Sequence, residues 1–430
     1  MVNSEPSTSR EPQVLFVSQQ CPWPKNSGGN IRTYFIARYL AQVAAVTLLT
    51  TAPREGGAQA EAELEKFCAK VEFVNDEKGN SALANAATLA KSFLRRRPAF
   101  IEHNLMRGLN RAVQRCLATE RYDALHVNQV DTFLYFADLH LTGGTADEKK
   151  VSIVLDTHNI HAEYYRRRAR AASNPVTRAL FARDGRLLAD FELNAFRSSD
   201  KVIVCSPDEQ QAVQAMDDTL AKDESVNVVV VPNGVDCEEY YPSPDDPFDR
   251  PHELVFMGDM AYAPNSEGVA GFIRNVLPRV RQHYPDTHFT VIGKAPPSAL
   301  LKLVERRSDV TVTGFVDEMM PYMHRAKVFV IPLQYGAGTR LKVPQAFACG
   351  IPTVSTTIGA EGIDYTVGSD ILIADSDEAM ADAICTLFAD RELYRTLRTR
   401  GRETALSKYD WRVIGQLVVE QYIELLGLKR

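Results

Sequence analysis

At 430 residues the chain is too long for one ordinary hydrophobic core, so two domains of about 200 residues each are expected. A formal net charge of −6, with charged residues at 24%, fits a globular protein and speaks against nucleic acid as a bulk electrostatic partner, with a local basic patch left open. The seven cysteines are never spaced as C-x-x-C, which excludes a zinc framework and reads as thiols in a reducing compartment, and no apolar run has the length of a membrane span.

Residues 1–12 are polar and rich in Ser and Pro, without an apolar signal segment, and read as a disordered tail. From residue 13 short runs rich in Val, Ile and Leu alternate with helical stretches: Val14–Val17, Val46–Leu49, Val71–Val74, Ala124–Val127, Ser152–Leu155, Val202–Val204 and Val228–Val231. Their lack of alternation predicts strands buried on both faces of a parallel sheet. The first domain is therefore placed at 13–236. Proline and acid then dominate residues 240–251, and 237–252 reads as a linker. A second series occupies 253–405: Leu254–Phe256, Phe289–Ile292, Val310–Thr313, Val328–Ile331, Thr353–Ser355 and Ile371–Ile373. Two doubly wound α/β domains are expected, with a ligand crevice where the carboxyl edges of their strands face each other.

Polar and glycine-rich loops follow many of these strands. After the first comes Gly28-Gly29, then Arg32 on a helix; the turn can bring N–H groups against a diphosphate or sugar, or be an ordinary connection. After the fifth comes Asp156-Thr-His-Asn159, where His158 is either a site residue or a helix cap. Pro232-Asn-Gly-Val-Asp236 is a strong turn, open to both structural and ligand roles. In the second domain Gly258 permits close backbone approach and Asn265 falls at the N-cap or first turn of the next helix. The backbone of Phe315 and Val316 could frame a planar base. The richest segment runs from Pro332 to Ser355. Gly336 and Gly338 let the chain fold tightly, Thr339 and Leu341 lead into a helix, and Arg340 and Lys342 add cationic donors to its free N–H groups. Gly350 fits that helix's C-terminal cap.

The collinear order of these loops, up to Gly336-Ala-Gly-Thr-Arg-Leu-Lys342 and Gly359-Ala-Glu-Gly362, resembles family 4 glycosyltransferases, and most closely the bacterial sugar transferases of cell-envelope and exopolysaccharide pathways. The resemblance spans nearly the whole chain and implies a GT-B fold, two Rossmann-like domains facing across a cleft. It implies transfer of a sugar, with retention, from a nucleotide diphosphate-sugar to a glycan, lipid-linked or small-molecule acceptor. The donor would lie in the C-terminal domain, the acceptor mostly in the N-terminal one, and a final helix, 406–430, would pack back on the latter. Catalysis would rest on His158, Arg340 and Lys342. Donor contacts would come from Gly28, Gly29, Gly258, Asn265, Phe315, Val316, Gly338, Thr339, Leu341, Gln345 and Glu361, and acceptor contacts from Arg32 and Asn159.

No metal or cofactor is expected, since two cations already face the diphosphate and Asp245-Asp246 lies in the linker. Many family members carry two glutamates where this chain has Ala337 and Gln345, which leaves open a degenerate subunit that binds a sugar nucleotide or a partner without turnover. An epimerase or hydrolase would need an array of acid/base carboxylates and histidines that the sequence does not assemble. Basic clusters at Arg95 to Arg97 and Arg166 to Arg168 offer a face for an anionic membrane, a face for a polyanionic, lipid-linked acceptor, or a solvated helix face. A cytoplasmic location follows, with peripheral contact at the inner membrane face as the further option.

Overall fold

A computed structural model describes residues 10–53, 55–75, 82–136, 151–216, 227–336 and 340–428. The chain forms two compact units, one of Met1–Pro232 with Gly415–Arg430 and one of Asn233–Ile414.

In the first unit seven parallel strands are ordered β3-β2-β1-β4-β5-β6-β7. They are β1 (Gln13–Ser18), β2 (Ala45–Thr51), β3 (Lys70–Val74), β4 (Ala124–Asn128), β5 (Ser152–Asp156), β6 (Lys201–Val204) and β7 (Asn227–Val230). Central β4 and β6 are buried along their length, whereas edge strands β3 and β7 are partly open, as expected when helices cover both faces. Register pairs Val14 with Val46 on one side and with Ala124 on the other. Chain order reverses between β1 and β4, which opens a crevice at their carboxyl ends. The last helix, Trp411–Leu426, runs into this unit, where Tyr422 Oη meets His126 Nδ1 at 2.6 Å. Lys201, buried at the start of β6, is held by Gln421 and Glu424, each at 2.7 Å.

The second unit repeats the plan with six parallel strands ordered β10-β9-β8-β11-β12-β13. These are β8 (Glu253–Met257), β9 (His288–Ile292), β10 (Val310–Val312), β11 (Val328–Ile331), β12 (Thr353–Ser355) and β13 (Leu372–Ile373). The switch lies between β8 and β11, and the glycine-rich segment follows β11. Its helix, Lys342–Ala348, ends on Gly350 at φ 60°, with Gly350 N–H on Phe347 O and Ile351 N–H on Ala346 O, a Schellman cap.

Residues 237–252, expected as a linker, are instead a packed part of the second unit. Helix Arg391–Thr404 sends Arg402 to the Tyr240 carbonyl at 3.0 Å and Arg398 to that of Ser243 at 2.9 Å. Proline signals a break in regular structure, but carbonyls left without a ladder partner remain good acceptors for arginine. Among the described residues no helix is long and apolar enough to cross a membrane.

Candidate functional site

At the first unit's switch point a buried charge cluster organises the loops. Arg32, on helix Gly28–Leu40, is 1% exposed and grips Asp156 at the end of β5, with Nε 3.1 Å from each carboxylate oxygen and Nη2 2.6 Å from Oδ1. Its Nη1 donates to Val231 O at 2.8 Å. Burial alone would raise the Asp156 pKa, but the Arg32 charge and the His158 hydrogen bond outweigh it and hold the carboxyl well below its usual range. Arg32 was expected at the acceptor. The structure corrects this: it is an internal counter-ion that ties β5, β7 and the first helix together.

His158 sits on this pedestal. Its Nε2 faces Asn128 Oδ1 at 3.1 Å and Asp156 Oδ2 at 3.3 Å, so a proton on Nε2 serves both acceptors and leaves Nδ1 with its lone pair. That nitrogen borders the glycine turn, 3.7 Å from where a β-carbon on Gly29 would lie. Ser27 caps the helix by accepting the Asn30 N–H at 3.2 Å. Gly28 and Gly29 occupy its first turn, whose N–H groups have no intrahelical acceptor. The structure thus brings Gly28, Gly29 and His158 together. Asn159 is half-buried beside them, its carbonyl accepting from Thr157 Oγ1. One asparagine at a strand end carries little signal in a sequence, and Asn128 is such a residue. Its Nδ2 donates to Ser18 Oγ and Thr33 Oγ1, which orients the amide oxygen toward the histidine.

In the second unit Gly258, directly after β8, leaves room for two side chains. A β-carbon there would lie 2.8 Å from Asn265 Nδ2 and 3.4 Å from Lys342 Nζ, a space that only glycine leaves open. Asn265 lies in the first turn of the helix that follows, as expected, and not at its N-cap. It is the third residue of helix Ala263–Gly271, donates to Asp259 O at 2.8 Å and accepts from Lys342 Nζ at 2.8 Å. Its place is therefore to orient the lysine. Lys342 also lies 5.0 Å from the Phe256 ring centre, and burial together with the Arg340 charge pushes its pKa down to about 7.

Arg340 is 4% exposed, with Nε on Ile358 O at 3.0 Å and Nη2 on Glu361 Oε2 at 3.4 Å. Arg340, Lys342, Glu361, Gly258 and Asn265 thus belong to one locality. Leu341 is the helix N-cap residue. Gln345 donates Nε2 to Tyr240 Oη at 3.0 Å, which leaves Oε1 as its remaining acceptor. At the end of β10 Phe315 is exposed and Val316 half-buried. Gly338 and Thr339, and Ala337 before them, lie outside the described residues.

Two doubly wound units with glycine turns and cationic or imidazole groups at their switch points fit the GT-B fold. Residues 26–239 match the family model described as Glycosyltransferase Family 4, and residues 251–390 that described as Glycosyl transferases group 1. The chain belongs to glycosyltransferase family 4 and is a glycosyltransferase. It is 23% identical over 385 residues to an uncharacterised 44.6 kDa protein of the cps region of Klebsiella pneumoniae, covering 86% of this chain and 90% of that one. It is 28% identical over 212 residues to a GDP-mannose-dependent α-(1-6)-phosphatidylinositol monomannoside mannosyltransferase of Mycolicibacterium smegmatis; the match covers 44% of this chain and 54% of the relative. Sucrose-phosphate synthase from Thermosynechococcus elongatus superposes with a TM-score of 0.67 at 17% identity, covering 97% of this chain and 100% of that one. Anabaena Alr3699/HepE, solved with UDP-glucose, gives 0.64 at 16%, covering 96% and 99%.

Proposed function

We propose that this glycosyltransferase takes its sugar from a nucleotide diphosphate donor and passes it, with retention at the anomeric carbon and without a divalent metal, to a glycan, lipid-linked or small-molecule acceptor. The observation that carries this reading is the convergence of Arg340 and Lys342 beside Gly258 at the second unit's switch point. Breaking the anomeric bond builds charge on the leaving diphosphate oxygen, and two preorganised cations stabilise it there. Asp156, next to His158, is fully buried and clamped by Arg32, so it is not offered as a covalent nucleophile. A front-face displacement assisted by the substrates themselves fits that arrangement. The named donors of the relatives, GDP-mannose and UDP-glucose, set the first members of a donor panel. Nucleotide release from one of them, with the product's anomeric configuration read by NMR, is the expected result. Donor binding without release from any member would identify a non-catalytic subunit instead.

Turnover is expected to persist in EDTA, because the two cations already supply the charge a metal would bring. Activity lost to the chelator and restored by magnesium or manganese would overturn that assignment.

His158→Ala is expected to lower kcat on the order of 10²-fold while donor affinity changes far less, since the side chain acts on the reacting groups and not on the nucleotide. An unaltered kcat with an unaltered melting temperature would return His158 to a loop-building role.

The free acceptor of Gln345 fits a ribose hydroxyl. Gln345→Leu should weaken nucleotide diphosphate binding by about 1 kcal/mol, the worth of one neutral hydrogen bond, and Gln345→Glu should bind at least as tightly as the parent. Calorimetric titration showing no change in either variant would place residue 345 outside the site.

A further inference from the structure

We propose that the first unit docks on an anionic phospholipid bilayer through the carboxyl end of helix Ala82–Arg95 and the adjoining start of helix Pro175–Arg197. Leu94 is 85% exposed, Phe93 50% and Val176 68%. Apolar side chains this open gain nothing in water. Between residues 82 and 101 every charged residue is basic, Lys91 and Arg95 to Arg97, and between 164 and 183 likewise, with Glu163 and Asp184 at the borders pairing with Arg166, Arg167 and Arg183 and leaving a net basic face. The two stretches form one surface. Arg183 stacks on the Phe93 ring at 4.0 Å and bonds Ser92 through Oγ at 3.0 Å and O at 2.9 Å. Val176 precedes Arg183 by two turns on the same helical face.

Arg96 supplies an independent argument. The helix ends with Arg96 N–H on Phe93 O at 3.4 Å and Arg97 N–H on Ser92 O at 3.1 Å, the Schellman arrangement, and Arg96 takes its left-handed position at φ 51°. At the corresponding position of the phosphate-loop helix the chain has Gly350, which adopts φ 60° without strain. A β-branchless but substituted residue is strained there, so the arginine opposes local stability. It is also exposed and has no carboxylate partner among the described residues, whereas Arg95 and Arg97 share Glu102 at 3.4 and 3.9 Å. Guanidinium groups pair with lipid phosphates while Leu94 and Phe93 enter the acyl boundary. Nucleic acid would use the charge and leave the apolar tips in water. A second copy of this face would bring arginine against arginine.

The test is flotation of the full chain with vesicles of phosphatidylcholine, with and without phosphatidylglycerol. Binding only to the anionic vesicles, weakened by added salt, is expected. Leu94→Gln should lower the partition about tenfold, the worth of one buried leucine. Arg96→Gly should lower it about fivefold, the share of one arginine near the surface, while the melting temperature stays level or rises. That opposition separates lipid contact from misfolding. No binding, equal binding to neutral vesicles, or partition undiminished in both variants overturns the proposal. So does a dimer in light scattering that Leu94→Gln converts to monomer.

Discussion

Asp156→Ala is expected to destabilise the first unit by about 3–5 kcal/mol, the range for removing one partner of a buried ion pair. The change strands the Arg32 guanidinium, which is 1% exposed and has its carboxylate hydrogen bonds at 2.6 to 3.1 Å, inside the sheet's carboxyl edge. It also removes an acceptor from His158 Nε2. Urea unfolding of the parent and the variant measures the loss, and a difference below about 1 kcal/mol would mean that water reaches Arg32. Joint replacement of Arg32 by Met and Asp156 by Leu should recover much of the stability without recovering activity, because His158 then lacks its anchor. The pH dependence carries a definite sign. The folded-state pKa of Asp156 is depressed, so its contribution is fully present above the ordinary aspartate range and is lost only as the pH falls through the depressed value.

Much of the architecture was legible because parallel strands covered on both faces have to be apolar runs, and each of the expected runs lies at a strand of the two sheets. Glycine was informative for the same physical reason, since Gly350 and Gly258 stand where a β-carbon would be strained or crowded. The buried network was not legible. Arg32 and Asp156 are 124 positions apart, and nothing local distinguishes an arginine that neutralises a buried acid from one that greets a ligand. The first-turn place of Asn265 was legible, but its partner was not: Lys342, 77 residues later, donates to its oxygen. The stretch 237–252 has the sequence of a linker because proline reports the absence of a regular ladder and says nothing about packing. Tyr240, which holds Gln345, lies inside it.

Donor affinity should depend on pH through Lys342. Its pKa is pushed down to about 7 by burial and by the Arg340 charge, so near neutrality the free protein holds a mixture of ammonium and amine. A diphosphate stabilises the ammonium and raises that pKa in the complex. Binding must then take up a proton whenever the pH exceeds the free value. Affinity for UDP-glucose or GDP-mannose, whose diphosphates carry no group that titrates near neutrality, should be level below about 7 and fall up to about tenfold per unit above it, until the bound pKa is reached. Calorimetry in two buffers of different ionisation heat, about one unit above the free pKa, should report uptake approaching one proton. Lys342→Ala should weaken binding at neutral pH by roughly 1.5–3 kcal/mol and abolish the uptake. Arg340→Ala should weaken it comparably but keep the pH dependence, with its onset moved upward, because the charge that helps depress the lysine is gone. Affinity flat across this range in the parent, with no proton exchanged, would remove Lys342 from the phosphate site.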